Sequence, residues 1–296
     1  MNIAILRYEN YPKFVTWDIP DIDAIYNDDQ LLIEGLEKSG HKAECIVWSD
    51  TFVNWNKFDL AIIRSTWDYI DRRDEFLQAL AKIENSACKL LNPLDAVRWN
   101  SEKSYLFDLE KWHIPVVPTY RASHTALTGV QNIFTENHWD AAIFKPTIGG
   151  GALDVYKVDL SELQDRYHDI HVRHPHHDYL VQPFIDSIVK EGEFAYVYIK
   201  GQFCYALHKK AAQGDYRVQG IYGGTIEIFQ PSADDLQQVD AMIKNIPFEL
   251  LFARMDVIRL ENKLVVMEIE LIEPILNFKL APSAVDDMVN AVTSLQ

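Results

Sequence analysis

Apolar residues recur along this chain with two alternating periods. Ile3-Ala4-Ile5-Leu6, Ala43 to Trp48 and Leu60 to Ile63 are short apolar runs of strand length. Between them the spacing becomes helical. Asp28 or Asp29 is placed to cap a helix carrying Leu31, Leu32 and Leu36 as far as Lys38, with Gly40 ending it. Asp71 to Ile83 sets Phe76, Leu77, Leu80 and Ile83 on one helical face. Lys89-Leu90-Leu91 closes this unit before Asn92-Pro93, the best first boundary. Strands alternating with helices predict a small parallel α/β domain over residues 1–93. Its glycines form no GxGxxG turn, which argues against a nicotinamide cofactor.

Beyond the boundary the pattern predicts two helices, the second from Ser101 to about Trp112, then an extended exit marked by Pro115 and Pro118. A helix from Thr125 to Thr135, a strand from Ala141 to Phe144 and a strand around Val155 to Val158 follow. A polar stretch then leads to Asp178. Tyr179 to Phe184 reads as a strand. Two more, between Glu193 and Lys210, pair across Lys200-Gly201-Gln202. A helix from Ser232 to Asn245 precedes a hairpin, and a helix from Ser283 closes the pattern.

That hairpin, ARMDVIRLENKLVVMEIELIEP, is the most informative stretch. Its two strands, Arg254 to Leu260 and Leu264 to Ile269, join through Glu261-Asn262-Lys263. Asp256 on the first strand can face Glu268 and Glu270 on the second, which share one side of the pleat. Three facing carboxylates among Leu, Val and Ile repel one another and are costly to desolvate. Hard divalent cations relieve that cost, and all-oxygen ligation suits Mg²⁺ shared with substrate phosphates. On this reading Glu268→Gln abolishes turnover without lowering ligand-free heat stability. The alternative is a solvated edge face.

Composition narrows the partners. The 296 residues carry 28 basic and 44 acidic side chains, a net charge of −16. No general positive footprint exists for nucleic acid or an anionic membrane, so any polyanion site is a local pocket. Cys45, Cys88 and Cys204 lack metal-ligand spacing and read as reduced, buried thiols of a cytoplasmic protein. The N-terminal stretch turns polar too soon for a signal peptide, and no apolar run approaches the roughly 20 residues that span a bilayer.

Cationic positions supply the local pocket. Lys145 leaves a buried strand beside Gly149-Gly150-Gly151, offering a fixed charge and a mobile loop whose N–H groups can wrap phosphate oxygens. The order is not that of a Walker A loop. Lys209, Lys210 and Arg217 follow in a glycine-bearing loop and suit a triphosphate or acyl phosphate. RSTWDY, at Arg64 to Tyr69, begins where a parallel strand ends, the usual place for ligands in such sheets. There Arg64 is suited to clamp a carboxylate, Asp68 to receive an amine, and Trp67 and Tyr69 to form walls beside Ser65; a structural loop is the alternative. His168, His171, His174, His176 and His177 lack zinc-ligand spacing and read as a solvated lid loop.

The order Lys103, FKPTIGGGA, LVQPFI with EGE, HKKAAQGDYR, ARMDV and VMEIE resembles the ATP-grasp superfamily over roughly residues 95–275. Within it the chain is similar to glutathione synthetase and the ribosomal-protein glutamate ligases. Through RSTWDY, QPF, GDYRVQ and EIELIEP it is more similar still to the D-cycloserine-forming (O-ureido-serine) cyclo-ligase group. The resemblance implies an α/β chain with α+β lobes. A pre-ATP-grasp domain would occupy residues 1–93 and an ATP-grasp domain 94–296, with a lid at about 115–183 and a catalytic lobe at about 184–296. It implies that Lys103 and Lys145 hold ATP phosphates under the Gly149–Gly151 loop. Gln182, Phe184 and Ile185 would read adenine, and Glu191 or Glu193 the ribose. Lys209 or Lys210 and Arg217 would face the transferring phosphoryl, with Arg254 nearby. Asp256, Glu268 and Glu270 would ligate two Mg²⁺, or Mn²⁺ in their place; many members have Asn where Glu270 stands. The implied activity is ADP-forming ligation of a small amino-acid-like substrate through an acyl phosphate. A nucleotide-binding protein that has lost catalysis is the rival, a ligase acting on a peptide terminus is a further alternative, and a homodimer is left open.

Overall fold

The computed structural model describes residues 1–9, 22–122, 127–173 and 178–295. It opens with β1 (Asn2–Arg7), α1 (Ile22–Lys38), β2 (Lys42–Val47), β3 (Leu60–Ile63), α2 (Arg73–Glu84) and β4 (Lys89–Leu91). The strands form a parallel sheet in the order β2-β1-β3-β4, as the alternation predicts. Ile3 to Leu6 and Ala61 to Ile63 are fully buried because helices cover both faces of such a sheet. Strand β2 lies at an edge, so Cys45 is exposed rather than buried. Helix α1 begins at Ile22, ahead of Asp28 and Asp29, so neither caps it. Both are instead buried along it.

The middle of the chain forms α3 (Leu94–Asn100), α4 (Leu106–Lys111), β5 (Tyr120–Ala122), α5 (Leu127–Glu136), β6 (Ala141–Pro146), β7 (Tyr156–Asp159), α6 (Leu163–Arg173) and β8 (Tyr179–Pro183). A 3₁₀ turn over Lys103–Tyr105 shortens the helix expected from Ser101. Antiparallel strands in the order β5-β8-β6-β7 make a second sheet under α5 and α6. The polar stretch before Asp178 is a helix rather than a loop. Leu163, Tyr167 and Ile170 form its buried stripe, masked in the sequence by the charged residues around it. His168 and His171 sit on α6, whereas His174, His176 and His177 lie outside the described residues, as does Thr125.

The remainder comprises α7 (Asp186–Lys190), β9 (Glu193–Ile199), β10 (Gln202–Lys210), β11 (Thr225–Phe229), α8 (Ala233–Lys244), β12 (Phe252–Leu260), β13 (Lys263–Glu270) and α9 (Ser283–Thr293). These strands form an antiparallel sheet in the order β11-β10-β9-β12-β13. Strand β11 was not expected. Glu261 and Asn262, at φ 49° and 65°, make the tight β12–β13 turn, and Lys263 belongs to the strand.

One face of this sheet packs on α9, which in turn meets α1 and the first sheet in a shared core. Gly35 permits that approach, because a Cβ there would lie 2.8 Å from Val285 Cγ1. The opposite face carries α8 and α4. Among the described residues no helix is long and apolar enough to cross a membrane.

Candidate active site

The acidic hairpin owes its geometry to one irregularity. Along β13, Leu264 and Val266 join the core that also holds Met255 and Val257 of β12. Strict alternation would send Glu268 and Glu270 into that same core. The register instead slips: Asp256 pairs with Glu268 and Val257 with Val266, leaving Met267 as an extra residue. After this bulge Ile269 and Leu271 take the core positions, so Glu268 and Glu270 turn toward the face of Asp256. Bulges re-aim side chains in this way beside functional sites.

Strand β13 is also an edge, and its backbone is satisfied from outside the sheet. Asn100 donates from Nδ2 to the Ile269 carbonyl at 2.7 Å and accepts from the Leu271 N–H at 2.9 Å. The Tyr105 hydroxyl accepts from the Ile269 N–H at 2.9 Å. Asn92 bridges the Phe252 and Leu271 carbonyls at 2.9 and 2.7 Å. The sequence reading singled out neither Asn100 nor Tyr105. A buried Asn shows in sequence only as an Asn, and its partners are more than 150 residues away.

The carboxylates face a cleft of about 440 Å³, and most are already paired. Arg254 forks onto Asp256, Nε to Oδ1 at 2.9 Å and Nη2 to Oδ2 at 2.8 Å, and Nη2 also bonds Glu270 Oε1. Lys209 Nζ lies 2.9 Å from Glu193 Oε1 and 3.0 Å from Asp256 Oδ2. Lys103 Nζ meets Glu268 Oε1 at 2.8 Å and the Gly149 carbonyl at 2.5 Å. Burial works against the charge on Asp256, yet Arg254 and Lys209 hold its pKa down to about 2. Burial likewise opposes ionised Glu268, but Lys103 and Lys145 hold it below its ordinary value. Glu270 is pushed up to about 7 because burial outweighs Arg254. Among the described residues no three acidic, His or Cys side chains already stand in a metal-holding arrangement.

Lys145 ends β6 at the roof of the cleft. It is buried, its Nζ donates to the Met267 carbonyl at 3.4 Å, and burial pushes its pKa down to about 8. Gly149, Gly150 and Gly151 follow it along the cleft wall. Arg217 also reaches the cleft; its Nη2 donates to Asp215 at 2.7 Å, and its guanidinium lies 3.6 Å above the Tyr222 ring.

Strand phase separates Lys209 from Lys210, and the end of α7, just before β9, separates Glu191 from Glu193. Lys209 faces the cleft, while exposed Lys210 points toward Glu227 at 3.7 Å. Glu193 lines the cleft, whereas Glu191 lies outside it, 3.8 Å from Arg259. Gln182 is buried with its amide donating to Thr119 at 2.8 Å, Ile185 packs among Val117, Ile258 and Val265, and the Phe184 ring lies under Lys157. None of the three lines the cleft with its side chain.

RSTWDY is divided in the same way. Trp67 and Tyr69 line the cleft, joined by Tyr8. Arg64, Ser65 and Asp68 are buried behind them. Arg64 donates to the Pro274 carbonyl at 3.0 Å and lies between Asp28 and Asp29; Ser65 bonds Asp29. Asp68 accepts from Trp48 Nε1 at 2.6 Å and pairs with Arg72 at 2.8 Å. Glu273, which the sequence reading passed over, lines the cleft beside Tyr69, and burial raises its carboxyl to about 8.

Residues 3–92 match the family model described as the N-terminal domain of the D-cycloserine synthetase DcsG. The cycloserine biosynthesis protein DcsG of Streptomyces lavendulae is 29% identical over 269 residues, covering 83% of this chain and 86% of that protein. The crystal structure of D-cycloserine synthetase DcsG superposes with a TM-score of 0.84 at 22% identity, covering 99% of each chain. The ATP complex of Bacillus anthracis D-alanine–D-alanine ligase gives 0.69 at 14% identity, covering 99% of this chain and 96% of that one. The fold is that of the ATP-grasp ligases, and the likenesses support an ATP-dependent ligase.

Proposed function

We propose that this ATP-grasp ligase moves the γ-phosphoryl group of ATP onto a carboxylate of a small amino-acid-like substrate, releasing ADP. An N–H nucleophile, from the same molecule or a second one, then displaces phosphate. The observation that carries the reading is one cleft in which Asp256, Glu268 and Glu270 stand among Lys103, Lys145, Lys209 and Arg254 beneath a glycine loop. Cations and carboxylates interleaved at this density suit a phosphoryl transfer, whose transition state spreads negative charge over several oxygens.

The three carboxylates suit Mg²⁺ chemically, being hard oxygen donors on adjacent strand positions. They would hold two ions, which when bound neutralise charge on the β- and γ-phosphates. In the ligand-free cleft Arg254 and Lys103 occupy that carboxylate surface. Lys103 would pass from Glu268 to phosphate oxygens as nucleotide enters, joined by Lys145 from the roof. Lys209 and Arg254 would steady the acyl phosphate, and Arg217 would approach from its loop. Gly149 to Gly151 would close over the nucleotide and exclude water from the acyl phosphate.

Cycloserine is a ring, so likeness to a cycloserine biosynthesis protein of Streptomyces lavendulae favours an intramolecular nucleophile as the first to test. Purified protein with ATP and Mg²⁺ is offered a panel of amino acids and derivatives, including both enantiomers of O-ureido-serine. ADP and phosphate are expected in equal amounts and only with the right substrate. AMP and pyrophosphate as the stoichiometric products contradict the proposal. A protein that only binds nucleotide would release neither.

A further inference from the structure

We propose that Glu273, with the rings of Tyr8 and Trp67, is the subsite for the ammonium group of the substrate. The inference rests on the function proposed above and adds a recognition element to it.

Charge pairing across the cleft points to Glu273. Glu193 and Asp256 share Lys209, Asp256 and Glu270 share Arg254, and Glu268 holds Lys103. Glu273 is the cleft carboxylate for which no ion pair exists among the described residues. It stands beside the Tyr69 hydroxyl, and burial raises its carboxyl to about 8, so an arriving ammonium supplies the charge that holds it ionised. Trp67 and Tyr8, with centroids 5.7 Å apart, present aromatic surface to the same cleft. A carboxylate beside aromatic faces is the chemistry that binds an alkylammonium.

The segment bearing Glu273 is held at nearly every residue. Trp67 Nε1 donates to the Glu273 carbonyl at 3.1 Å, Arg64 to that of Pro274 at 3.0 Å, and Arg254 Nη1 to that of Ile275 at 2.9 Å. The Tyr205 hydroxyl donates to the Leu276 carbonyl, and Asp28 accepts from the N–H groups of Leu276, Asn277 and Phe278. A binding group on so fixed a backbone loses little freedom when a ligand arrives. Arg64 and Asp28 thus shape the subsite from behind. The ammonium partner assigned to Asp68 from sequence moves to Glu273, since Asp68 is bonded to Trp48 and Arg72 away from the cleft.

The test compares the best amino-acid substrate of the panel with its N-acetyl derivative, in wild type, Glu273→Gln and Glu273→Asp. ADP release and thermal unfolding are followed. Wild type is expected to prefer the free amine. Glu273→Gln should cut kcat/KM for the free amine by about tenfold or more, the scale of a charge-assisted hydrogen bond. The N-acetyl form, the KM for ATP and the Mg²⁺ requirement should barely move, and Glu273→Asp should restore part of the preference. A wild type indifferent to acetylation overturns the subsite even if no variant folds, while leaving carboxylate activation intact. So does a Glu273→Gln variant that loses both substrates equally and needs more Mg²⁺, since Glu273 would then serve the metals. If no carboxylate in the panel stimulates ADP release, the proposed activity falls and the subsite with it.

Discussion

Glu268 and Lys145 show the two ways a buried charge is set here, Glu268 by its cationic neighbours against burial and Lys145 by burial itself. Sequence reasoning expects Glu268→Gln to relieve repulsion, but in the structure Lys103 and Lys145 outweigh burial and depress the Glu268 pKa. A carboxylate with a depressed folded-state pKa contributes stability above its ordinary value of 4.5, lost as pH falls through the folded value. Glu268→Gln should therefore lower ligand-free stability at pH 7 by about 1 kcal/mol, besides abolishing turnover. Thermal unfolding should show that deficit shrinking as the pH is taken below 4.5. Lys145 behaves oppositely. Its pKa falls from 10.5 to about 8, so between those values the folded state binds fewer protons and ligand-free stability rises with pH. A bound phosphate would restore the charge, so ATP binding near pH 8 should take up about half a proton. Calorimetry in buffers of different ionisation enthalpy measures this, and Lys145→Arg should abolish it. Both residues were legible in the sequence because a charge at the end of an apolar strand stands out. The choice between Lys209 and Lys210 was not, since it depends on strand phase, nor that between Glu191 and Glu193, which depends on where α7 ends and β9 begins.

At the scale of elements, β13 carries the site, and a bulge and foreign hydrogen bonds fix it. Removing Met267 would close the bulge and make Val266 and Glu268 neighbours, so Glu268 and Glu270 would keep the face of Asp256 while Leu264, Val266 and Ile269 keep the core. Such a deletion should yield soluble, folded protein whose ADP release is lowered rather than abolished, since the bulge sets the local twist and the remaining alternation keeps the face. A gentler probe is Asn100→Ala, which leaves the Ile269 carbonyl and the Leu271 N–H without their partner. Buried groups stripped of a hydrogen bond cost about 1–3 kcal/mol, and denaturant unfolding should show a loss of that order. The hairpin was readable because one face of each strand is apolar, and the parallel sheet because β1 and β3 are short runs apolar on both faces. Helix α6 was missed because its buried stripe is only Leu163, Tyr167 and Ile170 in a charged segment. Strand β11 was missed because Ile226 and Ile228 alternate over only five residues of an edge strand.

The whole molecule makes its cleft from all three sheets. The antiparallel five-stranded sheet supplies the floor charges, the β5-β8-β6-β7 sheet the Lys145 roof, and the parallel sheet the Tyr8, Trp67 and Tyr69 wall. This explains how a chain of net charge −16 can present a polyanion site: Lys103, Lys145, Lys209, Arg217 and Arg254 are gathered in one cleft, beside carboxylates that metal ions would neutralise. The central claim is that a substrate carboxylate becomes an acyl phosphate. It is tested most directly with a substrate labelled with ¹⁸O in that carboxylate, turned over with ATP and Mg²⁺, by mass analysis of the phosphate released. Attack of the carboxylate on the γ-phosphorus, followed by displacement at carbon, leaves one substrate oxygen on phosphorus. Inorganic phosphate carrying a single ¹⁸O per turnover is the expected result; unlabelled phosphate, or label in AMP, would contradict it.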